Sequence, residues 1–170
     1  MLELEFEGVI YILTPRGWAQ NGEIVHQQLQ QRLFAKWEEL NPIETLRVTN
    51  IMEMADYLKN AGLYNTAVRY YKAAVVHEDA RTDYIRNILP SLSSCYRKLK
   101  LPQESILLYG RYNQPEYISV AFLTSIGAAY LDLGHVTLAR QFANRAFALN
   151  GGNADLELRA LYAHIHAMEQ

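Results

Sequence analysis

The sequence predicts an all-α fold of antiparallel helix pairs, with a short N-terminal extended segment and capping helices. Three observations predict it: apolar residues recur at helical spacing through most of the chain, small residues return at regular long intervals, and Gly62 and Gly134 break the helical pattern between paired stretches. At 170 residues and 50% hydrophobic content the chain has material for a real core. Sixteen basic against 18 acidic residues leave a formal charge of -2, which supplies no global field for nucleic acid or an acidic membrane.

Residues 1–40 read as an extended segment followed by a capping helix. Leu2, Leu4 and Phe6 alternate with Glu3, Glu5 and Glu7, a strand period, and the run VIYIL continues it. A lone strand needs a partner. The candidates are its own symmetry mate, the helical array, or a sheet of another protein, with a partly ordered tail as the alternative. Ile24, Val25, Leu29, Leu33, Trp37 and Leu40 then lie along one side of an amphipathic helix.

Residues 41–153 read as three helical hairpins. Asn41, Pro42 and Glu44 have the pattern of a helix start, with Asn41 capping and Glu44 reaching back, and Asn113, Pro115 and Glu116 repeat it. The first pair carries Ile51, Met54, Ala55 and Leu58, then Ala67, Tyr71 and Ala74. In the second, Leu89, Leu92, Ser93 and Tyr96 precede Pro102, Ser105, Tyr109 and Tyr112. In the third, Leu123, Ile126, Gly127 and Tyr130 precede Val136, Ala139, Ala143 and Ala146, closed by Asn150, Gly151 and Gly152. Gly127 and Ala139 lack bulk where the two helices cross, which allows close approach of the axes.

Ala55 to Ser93 is 38 residues and Ser93 to Gly127 is 34, and Ala67, Ser105 and Ala139 repeat both intervals. The four extra residues equal about one helical turn, which a longer first helix absorbs without loss of register. Pro90 falls either inside that helix, bending it, or at a start near Leu89. Residues 154–170 form a terminal helix capped by Asn153, with Leu156, Ala160, Ala163 and Ala167 on one side and Leu158, Leu161, Tyr162 and Ile165 nearby. It closes the array or begins a further repeat.

Over residues 48–153 these intervals and the order of small and aromatic residues resemble the tetratricopeptide repeat (TPR) family of 34-residue helix-turn-helix units. The third copy carries the pattern best. In the second, Tyr112 replaces an expected small residue and Lys100 an expected glycine. The resemblance implies a right-handed superhelical solenoid whose first helices line a concave groove. By that resemblance the partner-binding residues are Glu53, Asp56 and Lys59 from the first copy, Asn87, Ser91, Ser94, Arg97 and Lys98 from the second, and Thr124, Ala128 and Asp132 from the third. Some members clamp the acidic C-terminal tails of cytosolic heat-shock chaperones, but the matching positions here hold Met52, Asp56, Ser91, Ala121 and Ser125. None is basic, so a chaperone tail is disfavoured.

No set of residues converges on chemistry, so the chain is read as a non-enzyme without cofactor or metal. His164 and His166 are two apart and diverge on a helix, Cys95 has no companion histidine at a predictable place, and there is no glycine-rich phosphate loop. Tyr64, Tyr71, Tyr96, Tyr109 and Tyr130 occupy repeat-core positions.

The leading expectation is a protein-interaction scaffold or adaptor that holds a protein, peptide or partner helix of unknown identity in its groove. The second is a nucleic-acid or anion binder using Arg86, Arg97, Lys98 and Lys100, disfavoured by the lack of basic excess. A third is a homodimer through the N-terminal segment or the array ends. The single cysteine, the acidic rather than basic N-terminus and the lack of a long apolar run predict a cytoplasmic protein without membrane association.

Overall fold

A computed structural model describes all 170 residues. They form two compact units, Met1–Ala80 and Arg81–Gln170.

The first unit departs from an all-α fold. Its N-terminus is a four-stranded antiparallel meander of β1 (Glu3–Phe6), β2 (Val9–Thr14), β3 (Gly17–Gln20) and β4 (Glu23–Ile24), in that spatial order. The partner that β1 needs is the following segment. Glu7 and Gly8 take φ of 54° and 77°, and Asn21 and Gly22 take 51° and 84°. Two successive positive φ values make the tight turns whose twist matches paired strands. Phe6 thereby faces Val9, and Gln20 faces Glu23. Leu2, Leu4, Tyr11, Leu13 and Trp18 are buried on the inner face. Helix α1 (Gln27–Leu40) packs on this sheet through Leu33 and Trp37, whereas Ile24 and Leu40, expected on its apolar side, are exposed.

Two of the expected helix starts also shift. Asn41 ends α1, its backbone N–H and its side-chain Nδ2 both donating to the Trp37 carbonyl at 2.9 Å. Pro42 and the residues after it make a single 3-10 turn, Ile43–Thr45, before Leu46 and Arg47 return to extended backbone. Burial of Leu46 draws the chain out of the helical path there, so α2 (Val48–Asn60) begins later and pairs with α3 (Tyr64–Val75). In the second unit Pro115–Tyr117 is likewise a 3-10 turn, and Ser119 caps the true helix by accepting from Phe122 N–H at 3.1 Å.

The second unit holds α4 (Thr82–Lys98), α5 (Pro102–Arg111), α6 (Val120–Asp132), α7 (Val136–Leu149) and α8 (Leu156–Met168). Helix α4 has 17 residues where α2 and α6 have 13, so the middle repeat takes up its extra turn in the first helix. Pro90 lies inside α4, not at its start.

One turn geometry recurs between helices. Gly62, Lys100 and Gly134 have φ of 77°, 62° and 78°. In each case the next residue donates back across the turn at 2.9 Å, Leu63 to Leu58, Leu101 to Tyr96 and His135 to Tyr130. This left-handed closure satisfies helix carbonyls that would otherwise lack donors.

The core of the second unit depends on a notch. A side-chain carbon on Gly127 would lie 2.9 Å from Leu161 Cδ2, 3.2 Å from the Ala139 carbonyl and 3.3 Å from Phe142 Cβ. Helix α8 therefore buries Leu158, Leu161 and Ile165, spaced three and four apart, and leaves Leu156, Ala160, Ala163 and Ala167 exposed. Its cap is Asp155, which accepts from Leu158 N–H at 2.8 Å, rather than Asn153.

Candidate functional site

The end of α4, the turn at Lys100, the start of α5 and the end of α6 surround a cleft of about 550 Å³. Ser94, Arg97, Lys98, Lys100, Gln103 and Asp132 give it a polar lining, with Pro102 and Leu133 beside them. Arg97 and Asp132 lock its wall: Arg97 Nε donates to Asp132 Oδ2 at 2.6 Å and Nη2 to Oδ1 at 3.3 Å. A two-point guanidinium–carboxylate pair fixes orientation as well as distance. Beneath it, Ser93 and Ser125 hydroxyls are hydrogen-bonded at 2.7 Å, and Ser105 donates to the Ser93 carbonyl at 2.9 Å. Two buried hydrogen bonds among three serines thus tie α4, α5 and α6 together behind the cleft.

Lys98 and Lys100 make no ion pair, and both are exposed. Lys98 occupies the last turn of α4, where the helix dipole favours a cation. Lys100 sits in the left-handed turn between α4 and α5, on the cleft's edge. With the Arg97–Asp132 pair internally neutral, these two ammonium groups set the charge of the cleft. Nearby, burial and then the Glu104 carboxylate raise the Tyr96 phenol above its ordinary value, so it stays neutral.

Of the residues expected to contact a partner, the cleft unites Ser94, Arg97, Lys98 and Asp132. Asn87, Ser91 and Ala128 lie elsewhere on α4 and α6. Thr124 is buried, and its hydroxyl donates to the Val120 carbonyl at 2.9 Å, so it presents no donor to a ligand. In the first unit Glu53 pairs with the N-terminal amine at 3.1 Å, Asp56 accepts from the Tyr71 hydroxyl, and Lys59 is half-buried on the same helix. Ser125, one of the positions matching a chaperone-tail clamp, spends its hydroxyl on Ser93. The sequence set Lys100 beside Arg97 and Lys98 only as an anion-binding alternative and gave no place to Gln103 or Leu133; the turn position that Lys100 shares with Gly62 and Gly134 is the signal that brings them to this site.

Of the four basic residues considered for phosphate binding, Arg86 donates to the Glu116 carbonyl at 2.8 Å and Arg97 is paired with Asp132. Two of the histidines are structural: His26 caps α1, and His77 Nε2 lies 3.1 Å from the Leu46 carbonyl. Tyr109 and Tyr130 pack against Phe142 at ring distances of 5.0 and 5.3 Å.

No family model matches the chain, and no curated protein matches it. Its fold is similar to the crystal structure of the P58(IPK) TPR domain, with a TM-score of 0.62 and 22% identity, covering 84% of this chain. The chain matches 38% of that neighbour's length. At this identity the likeness shows the fold, a TPR-type arrangement of paired helices. No helix is long and apolar enough to cross a membrane.

Proposed function

We propose that the chain is a protein-interaction scaffold that performs no chemistry, and that the Lys98–Lys100 cleft is a contact surface for an extended segment or helix of a partner protein. The observation that carries this reading is the pair of uncommitted lysines beside a wall fixed by Arg97 and Asp132. Carboxylates on the partner would face the two ammonium groups, and the Ser94 hydroxyl and Gln103 amide would complete the polar contacts. On this reading residues 41–153 are the three hairpins, and residues 1–40 and 154–170 cover apolar faces of the repeats next to them. The TPR-type fold supports the class of function; the partner's charge is argued from the cleft alone.

A photo-crosslinking amino acid at Gln103 of the intact chain tests the reading. One partner should be trapped, and Lys98→Glu with Lys100→Glu should abolish the adduct while the chain still melts cooperatively, with Tm lowered by no more than a few degrees through the lost helix-end charge. An adduct that survives the double substitution contradicts the assignment.

A further inference from the structure

We propose a second binding site, independent of the cleft in residues 81–170, for an extended peptide that carries an aliphatic or aromatic side chain one or two residues from a carboxylate. It is a depression of about 360 Å³ in the first unit, formed by β4, α1 and the end of α2. Among its lining residues Tyr57 is buried and Val25 and Phe34 half-buried, while Ile24 and Leu63, 45% and 44% exposed, stand as large apolar residues open to solvent. That volume is at the small end of the ~300–1,000 Å³ of ligand pockets, which suits one anchoring side chain rather than a helix.

Its back wall is fixed and already satisfied. Gln30 Oε1 accepts from Trp18 N–H at 2.7 Å and from the Tyr57 hydroxyl at 3.3 Å, while Nε2 donates to the Trp18 and Val25 carbonyls at 2.8 and 3.1 Å. Gly17 leaves room for this amide, since a Cβ there would sit 2.8 Å from it. A depression with a saturated polar wall and exposed apolar walls gains most from an apolar occupant.

Charge selects what accompanies that occupant. Arg16 is exposed, makes no ion pair, and sits on the β2–β3 turn, which Asn60 reaches through a 3.5 Å contact to the Pro15 carbonyl. Helix α1 also begins here with no acidic residue in its first turn, so its positive end is uncompensated. No Asp or Glu lines the depression. Gln27 and Gln31, one turn apart on α1, add side-chain amides that donate and accept as a peptide backbone requires.

The test is selection of a random heptapeptide display library on the intact chain, followed by fluorescence-polarisation titration of the synthesised consensus peptide. The expected consensus is an apolar residue followed within two positions by Asp or Glu. Ala61→Trp, which fills the depression, should raise Kd by about tenfold or more, and Arg16→Glu by about three- to tenfold. Lys98→Glu, which belongs to the other unit and shares no residue with the depression, should change Kd by less than about twofold. Should Ala61→Trp fail to fold, Leu63→Ser at an exposed position should still weaken binding by about fivefold through lost apolar contact. The proposal is overturned by a library that yields no such consensus, by a consensus peptide indifferent to Ala61→Trp or Leu63→Ser, or by octanoate that binds the intact chain calorimetrically and is lost in Ala61→Trp when no peptide is selected, which would assign the depression to small carboxylates.

Discussion

Lys100 holds a left-handed backbone that glycine holds at Gly62 and Gly134. A side chain in that conformation costs about 1–2 kcal/mol relative to the right-handed form. Lys100→Gly is therefore expected to stabilise the protein by about 1 kcal/mol, raising Tm by about 2–4 °C in a melt. The same change removes one of two free cations from the cleft, so it should weaken partner capture as it strengthens the fold; a fall in Tm would contradict the strain argument. Behind the cleft, Ser93→Ala strands the Ser125 hydroxyl in a buried place and should cost about 1–2 kcal/mol. Adding Ser125→Ala should cost less than the sum of the two single changes, because no donor is then left unpaired. Additive losses in denaturant titrations would show that the 2.7 Å serine contact carries no coupling.

At the scale of elements, α6, α7 and α8 meet at Gly127, and the notch there is filled by Leu161. Gly127→Val should destabilise by about 1–3 kcal/mol, since the Ala139 carbonyl cannot move aside as a side-chain end would. An unchanged urea midpoint would mean that the helices part without cost. This crossing was legible in the sequence because small residues at fixed intervals have a direct packing meaning, as were the hairpin turns and the longer α4. The sheet was not. Strand alternation in Leu2, Leu4 and Phe6 was visible, but the partner strands were missed because Glu7-Gly8 and Asn21-Gly22, the latter a strong hairpin signal, lie among residues read as a tail and a helix approach. Asn-Pro and Asn-x-Pro misled in the other direction: proline begins a helical turn at Pro42 and Pro115, but the buried Leu46 and the extended Ile118 and Ser119 end it at once. In the candidate site, the repeat resemblance had named Ser94, Arg97, Lys98 and Asp132, which line the cleft, whereas burial of Thr124 depends on packing that spacing alone does not reveal. The β1 edge carries Glu3 and Glu5 outward, so a second copy paired there would oppose like charges. Light scattering should accordingly find no dimer that depends on residues 1–20.

Across the whole molecule, phenols are the groups that folding holds most clearly away from their ordinary ionisation. Tyr57, Tyr70, Tyr96 and Tyr162 all lie above the ordinary value of 10.0, with burial the first cause in each. Tyr70 is raised furthest, burial being reinforced by the Glu38 carboxylate. Unfolded chains release these protons near 10, while the folded protein keeps them. The stability that these phenols contribute is therefore fully present below about pH 10 and declines as pH rises toward the raised folded values. Tyr70→Phe should flatten that decline, read as stability at pH 11 relative to pH 7; an unchanged slope would place the alkaline sensitivity elsewhere. The central claim concerns the Lys98–Lys100 cleft, and its most direct test is a native-lysate pull-down with mass spectrometry. The intact chain is compared with a folded Ser94→Arg, Lys98→Glu double variant. One protein retained by the first and lost by the second is the predicted result. The same proteins bound equally by both would contradict the account and remove the cleft as the working surface.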